Sequence, residues 1–73
     1  MISKSEALRI AHQDASKMYR DLSQYKVTAV LKEGNWQVDY ELVVPEGAVM
    51  AGGGPHYLIS GSSGEIVNRR FEQ

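Results

Sequence analysis

Trp36-Gln37-Val38-Asp39-Tyr40-Glu41-Leu42-Val43-Val44 alternates strictly over its first seven residues, with Trp36, Val38, Tyr40 and Leu42 set against Gln37, Asp39 and Glu41. Successive side chains of a strand point to opposite faces, so the pattern is that of a strand with one face buried. Val44 continues the apolar set, which should face whatever covers the sheet, and Val43 is the apolar member of the outer set. Upstream, Tyr25, Val27, Ala29 and Leu31 alternate with Lys26, Thr28, Val30 and Lys32. Glu33-Gly34-Asn35 joins the two runs as a short hairpin turn, where Gly34 adopts positive φ at little cost. Downstream, Pro45 removes a backbone donor and ends the strand. The connection over 45–55 exceeds the usual hairpin loop of about 2–5 residues. A third strand follows at 56–60, then a Gly61-Ser62-Ser63-Gly64 turn and a fourth strand at 65–71.

The first third of the chain has a helical period instead. At about 100° per residue, Ala7, Leu8, Ala11, Ala15, Met18, Tyr19 and Leu22 share one face, opposite Arg9, Gln13, Lys17 and Arg20. Three alanines on that stripe permit close approach to a sheet. Ser3 and Glu6 have the S-x-x-E spacing of a capping box. Ile10 is the misfit, projecting among polar neighbours. The expected architecture is α+β: an N-terminal amphipathic helix packed on a four-stranded antiparallel sheet, α-β-β-β-β in meander order, forming a single domain over 1–73. Leu8 and Leu42 are the expected core anchors.

Composition narrows the function classes. At 42% hydrophobic and 23% charged residues the chain is too apolar for general disorder. The absence of cysteine excludes disulfide scaffolds, zinc fingers and thiol enzymes. A net charge of -1 supplies no global field for nucleic acid or an anionic membrane. The longest apolar run falls well short of the roughly 20 residues that span a bilayer. Glu6, Arg9, His12 and Asp14 interrupt what would be the apolar stretch of a signal peptide, so a cytoplasmic location is expected.

Catalytic chemistry finds few candidates. His12 and His56 are the only histidines, and no third ligand completes a zinc site. Gly61-Ser62-Ser63-Gly64 lacks the G-x-S-x-G spacing of a nucleophile elbow and reads as a turn. Gly52-Gly53-Gly54 precedes a strand, without the G-x-G-x-x-G pattern or a nearby lysine that phosphate binding would use. Asp39 and Glu41 share a strand face, which reads as solvated. His56 is expected in solvent at a strand start, and His12 at the edge of the buried stripe. The expectation is a protein without catalytic residues, cofactor or metal. The competing enzyme reading needs a closed polar pocket holding His56 and Asp39.

Binding features are richer. Between Glu33 and Glu65 lie five acidic side chains (Glu33, Asp39, Glu41, Glu46 and Glu65) and no lysine or arginine, a segregation able to steer a basic partner. The sheet face away from the helix carries Val30, Val43, Leu58, Val67 and Phe71 beside its charges, the signature of a covered or partner-binding face. The loop tip Ala48-Val49-Met50-Ala51 is apolar where loops are normally hydrophilic. Trp36, by alternation, belongs to the core. The candidate partner-binding set is therefore Asp39, Glu41, Glu46, Val49, Met50, Gly53, His56, Leu58 and Phe71. The sheet face also leaves room for a homodimer.

Gly52-Gly53-Gly54-Pro55-His56-Tyr57-Leu58-Ile59, followed by Gly64-Glu65-Ile66, resembles the G-G-G-P…I-D…T-G-E-I pattern of small bacterial immunity proteins of polymorphic toxin systems, catalogued with a nuclear-transport-factor-like fold. The opening Ile2-Ser3-Lys4-Ser5-Glu6-Ala7-Leu8 and Trp36-Gln37-Val38 also look like that family. Ser60 stands where the family often has aspartate, and Ser62-Ser63 where threonine is common. The chain is shorter than a full nuclear-transport-factor cone, so a reduced α+β sheet is expected. The resemblance implies a protein that neutralises a cognate toxin by occluding its active site or substrate entrance, the acidic middle suiting a toxin with a basic cleft. The helix-then-sheet layout is also similar to PepSY-type domains, which implies, as the alternative, a regulatory module acting on a peptidase or an envelope ligand.

Overall fold

A computed structural model describes residues 1–19, 21–23, 25–42 and 54–71, with backbone alone at Leu42. It contains α1 (Lys4–Ala15), β1 (Tyr25–Lys32), β2 (Asn35–Leu42), β3 (Pro55–Ser60) and β4 (Ile66–Phe71). The strands form one antiparallel sheet in the order β1-β2-β3-β4, with α1 packed across one face, as the alternating patterns predict. Val43 and Val44, expected to extend the second strand, lie outside the described residues.

Helix formation begins at Ser3, whose hydroxyl accepts the Glu6 amide at 3.1 Å. Only half of the expected capping box forms. The Glu6 carboxylate pairs with Arg9 instead of turning back to the cap. The helix also stops earlier than its apolar period suggests. Ser16–Met18 form turns after Ala15, which leaves Met18 67% exposed and places Tyr19 and Leu22 beyond the helix. What remains buried is the stripe Ala7, Ala11 and Ala15, each fully covered. These small side chains let the helix backbone lie close to Val38, Tyr40, Tyr57 and Ile59, the buried centre of the sheet.

Two expectations about apolar residues change. Leu8 is only partly buried, at the rim of the core, because the alanines occupy the closest approach. Ile10 is not a surface misfit: it packs against the core and lies so near Gly64 that a Cβ there would stand 3.2 Å from its Cδ1.

The β1–β2 hairpin closes through Glu33 and Gly34, at φ 50° and 80°, with Asn35 already in β2. Two residues at positive φ give the primed turn whose twist suits a hairpin, and glycine supplies one of them without strain. In β4 a bulge shifts the phase. Leu58 pairs with Asn68 but Ile59 pairs with Ile66, so Val67 is the extra residue. Beyond the bulge, Arg69 lies opposite Tyr57 and Phe71 opposite Pro55, which turns Phe71 toward the helix and not, as expected, onto the open face.

Phe71 there completes a closed ring of aromatic contacts: Tyr19, Tyr25, Tyr40, Tyr57 and back to Phe71 and Tyr19, with centroids 5.9–6.5 Å apart. Four of the five pairs meet edge to face, the geometry favoured by the ring quadrupoles. Gly54 closes this end by lying flat against the ring. A Cβ on it would stand 2.7 Å from Tyr25 Cε1 and 3.0 Å from Tyr40 Cβ. One glycine of the triplet is thus explained by packing.

Burial pushes the Tyr57 phenol well above its ordinary value of about 10, with the neighbouring Asp14 carboxylate adding to the effect; burial also raises Tyr40. A phenol whose folded pKa exceeds its unfolded one contributes stability that is complete below about pH 10 and is lost as pH rises further. Unfolding by far-UV circular dichroism should therefore begin above about pH 10 and coincide with the ionisation of Tyr57 read by ultraviolet absorbance against Tyr57→Phe. Ionisation of Tyr57 near pH 10 in a still-folded protein would contradict this burial.

Candidate binding surface

The open face of the sheet takes its residues from the alternate positions of each strand, aligned into rungs by the pairing register. One rung runs Thr28, Asp39, His56, Arg70; the next runs Val30, Gln37, Leu58, Asn68. Of the expected partner-binding residues, this brings together Asp39, His56 and Leu58, with Glu41 further along β2 opposite Lys26. Phe71 is on the other face. Glu46, Val49, Met50 and Gly53 lie outside the described residues.

Asp39 and His56 are not the solvent-exposed residues expected. Their side chains are 22% and 17% exposed, and His56 Nδ1 lies 2.7 Å from Asp39 Oδ1. Strand geometry explains the closeness. Glu33 and Gly34 form a two-residue turn, so Lys32 and Asn35 are a hydrogen-bonded pair, and alternation assigns the backbone bonds of Asp39 to Thr28. Asp39 and His56 are then a non-hydrogen-bonded pair, in which side chains approach most closely. Gln37 Nε2 donates to the other carboxylate oxygen, Oδ2, at 3.3 Å.

These residues line a shallow open depression of about 210 Å³ together with Leu58, Asn68 and Arg70. It is not the closed polar pocket an enzyme reading calls for. An aspartate bonded to Nδ1 fixes a histidine's orientation, as in hydrolytic sites. Yet among the described residues no serine, threonine or cysteine lines this depression to act as nucleophile. Its composition suits recognition: carboxylate, imidazole, amides and guanidinium around one leucine.

Among the described residues, the charge segregation along the sequence forms no acidic patch. Lys26 stands across from Glu41, and His56 and Arg70 continue the rung beyond Asp39. Glu33 and Glu65 lie in separate turns, both exposed. Long-range contacts of opposite sign thus intersperse what the chain keeps apart.

On the helix side, Asp14 Oδ1 accepts from Arg69 Nη2 at 3.2 Å, tying α1 to β4 beside Tyr57. Trp36 is half-buried, as its alternation requires, and its Nε1 donates to the Ile2 carbonyl at 3.1 Å. Sequence reading brings His56 and Asp39 together only in its enzyme alternative, because the sequence between β2 and β3 hides which residue of β3 faces Asp39. It missed the aromatic ring because its five members come from five separate segments. Among the described residues, no three His, Cys, Asp or Glu side chains converge as a metal site, and no helix is long and apolar enough to cross a membrane.

No protein-family model, curated protein or solved structure matches the chain.

Proposed function

We propose that the protein is a binding domain that neutralises a toxin, acting through the open face of its sheet. The observation that carries this reading is the rung Val30–Gln37–Leu58–Asn68, across which no described element packs. Val30 is 51% exposed at its end, and the Asp39–His56 pair lies alongside. Two apolar side chains interleaved with amides and flanked by charged groups have the anatomy of a small protein interface, with polar groups left to set the partner's orientation. The resemblance of the Gly52-Gly53-Gly54-Pro55 segment to immunity proteins supplies the partner class, and occlusion of the partner's active site is the mechanism a rigid sheet suits. The mixed charge of the face favours a toxin surface of both signs over a purely basic cleft.

The test is co-expression with the product of the adjacent gene, followed by co-purification and a growth-protection assay. Val30→Glu and Leu58→Gln should each weaken the complex about tenfold or more while leaving the thermal midpoint of the free domain within a few degrees. Full protection by both variants would move the interface off this face. Failure to bind or protect would remove the toxin-neutralising reading. Stable association with a peptidase instead would select the PepSY-like regulatory alternative.

A further inference from the structure

β1 is an outer strand of the sheet, and among the described residues no strand pairs with its outer edge, which borders a groove. Glu33 and Gly34 close the hairpin as a two-residue turn, so alternation commits the backbone groups of Lys32, Val30, Thr28 and Lys26 to β2. The N–H and C=O groups of Leu31, Ala29 and Val27 therefore point outward. Tyr25 is excluded from this row, since its amide folds back to the Leu22 carbonyl at 3.1 Å. Flanking side chains are exposed: Val27 38%, Leu31 44% and Val30 51%.

A cavity of about 540 Å³ opens between this edge and α1. Leu8 and His12 line its helix side, Val27 and Tyr40 its sheet side, with Leu22 and Asp21 at one end. A strand added to β1 would direct every second side chain to the helix-facing side, shared by the positions beside Val27, Ala29 and Leu31, and the one beside Val27 would meet this groove. Its remaining side chains would stand beside Lys26, Thr28, Val30 and Lys32. Those four positions carry two cations and no acid.

We infer that the β1 edge and the α1–β1 groove form a docking site for an extended segment of another protein, with large apolar side chains toward the groove and acidic side chains toward Lys26 and Lys32. The apolar groove selects the first set, and charge complementarity across the ladder selects the second. A second copy of this chain fits less well. The symmetric antiparallel register centred on Ala29 sets Lys26 of each copy against Lys32 of the other, and directly opposed like charges destabilise a sheet. This site lies at the edge and on the helix side and meets the open-face rung only at Val30, so Leu58→Gln separates the two readings.

The probe is a fluorescently labelled, end-capped heptapeptide, Asp-Leu-Thr-Val-Thr-Leu-Asp, titrated into the intact protein. Saturable binding should appear below about 1 mM, with backbone shifts in β1 and methyl shifts at Leu8, Leu22 and Val27 by nuclear magnetic resonance. N-methylation of the two leucines should weaken binding about tenfold or more, because it removes two ladder bonds without touching the protein. A peptide with lysines for its aspartates should bind several-fold more weakly at low salt, the difference fading as salt rises. Lys32→Glu should narrow that preference, whereas Leu58→Gln should leave the peptide affinity unchanged. Absence of binding, equal binding of the N-methylated peptide, or shifts centred on Asp39, His56 and Leu58 would each overturn the proposal. So would concentration-dependent dimerisation with backbone shifts along β1, which would make a second copy the occupant.

Discussion

Gly61→Ala should be among the most damaging single-methyl additions to this chain, lowering stability by about 3 kcal/mol. A Cβ at Gly61 would stand 2.2 Å from the backbone oxygen of Gly34, an approach that no side-chain movement relieves. Both backbones are held where they are. Gly61 N–H donates to that same Gly34 oxygen at 2.9 Å, and the Gly61 carbonyl accepts the Ile2 amide at 2.6 Å. Accommodating the methyl means separating the β1–β2 and β3–β4 turns and releasing the N-terminal segment that Trp36 also holds. A 73-residue domain has about 4–11 kcal/mol of stability in total. The thermal midpoint should drop by about 12 °C or more. Ser62→Ala, on the exposed side of the same turn, is the control and should change little. A Gly61→Ala urea midpoint within experimental scatter of the parent would show that the two turns do not meet in this way.

Tyr57→Ala should cost about 4 kcal/mol, by removing the largest fully buried side chain. Its ring contacts Tyr40 and Phe71 edge to face, so truncation opens a cavity between α1 and the sheet and leaves two aromatic partners without their neighbour. Tyr57→Phe separates the ring from its hydroxyl. That hydroxyl is buried facing Asp14, but no hydrogen bond of normal geometry satisfies it. Its removal should therefore change stability by no more than about 1 kcal/mol, in either direction. Urea unfolding of the two variants decides the matter. A large loss in Tyr57→Phe would mean the hydroxyl is tightly bonded; a small one in Tyr57→Ala would mean the aromatic ring does not organise this end of the core.

The element order and the inward face of the first two strands are legible in the residue pattern alone. Those features follow from local repetition: a period of two from Tyr25 to Leu42, alanines at Ala7, Ala11 and Ala15, and glycine at a positive-φ turn position. Each is set by stereochemistry within a few residues. The helix end was less legible, because Met18, Tyr19 and Leu22 continue the apolar spacing although the backbone has already turned after Ala15. The pairing of Asp39 with His56 and the side to which Phe71 turns are set by how the strands assemble. The first depends on register across a long connection, and the second on one extra residue in β4, which inverts the alternation beyond it. The aromatic ring and the close passage of Gly61 over Gly34 likewise join segments distant in the chain. Periodicity reports which side of its own element a residue occupies; what stands opposite is settled by how the elements are brought together.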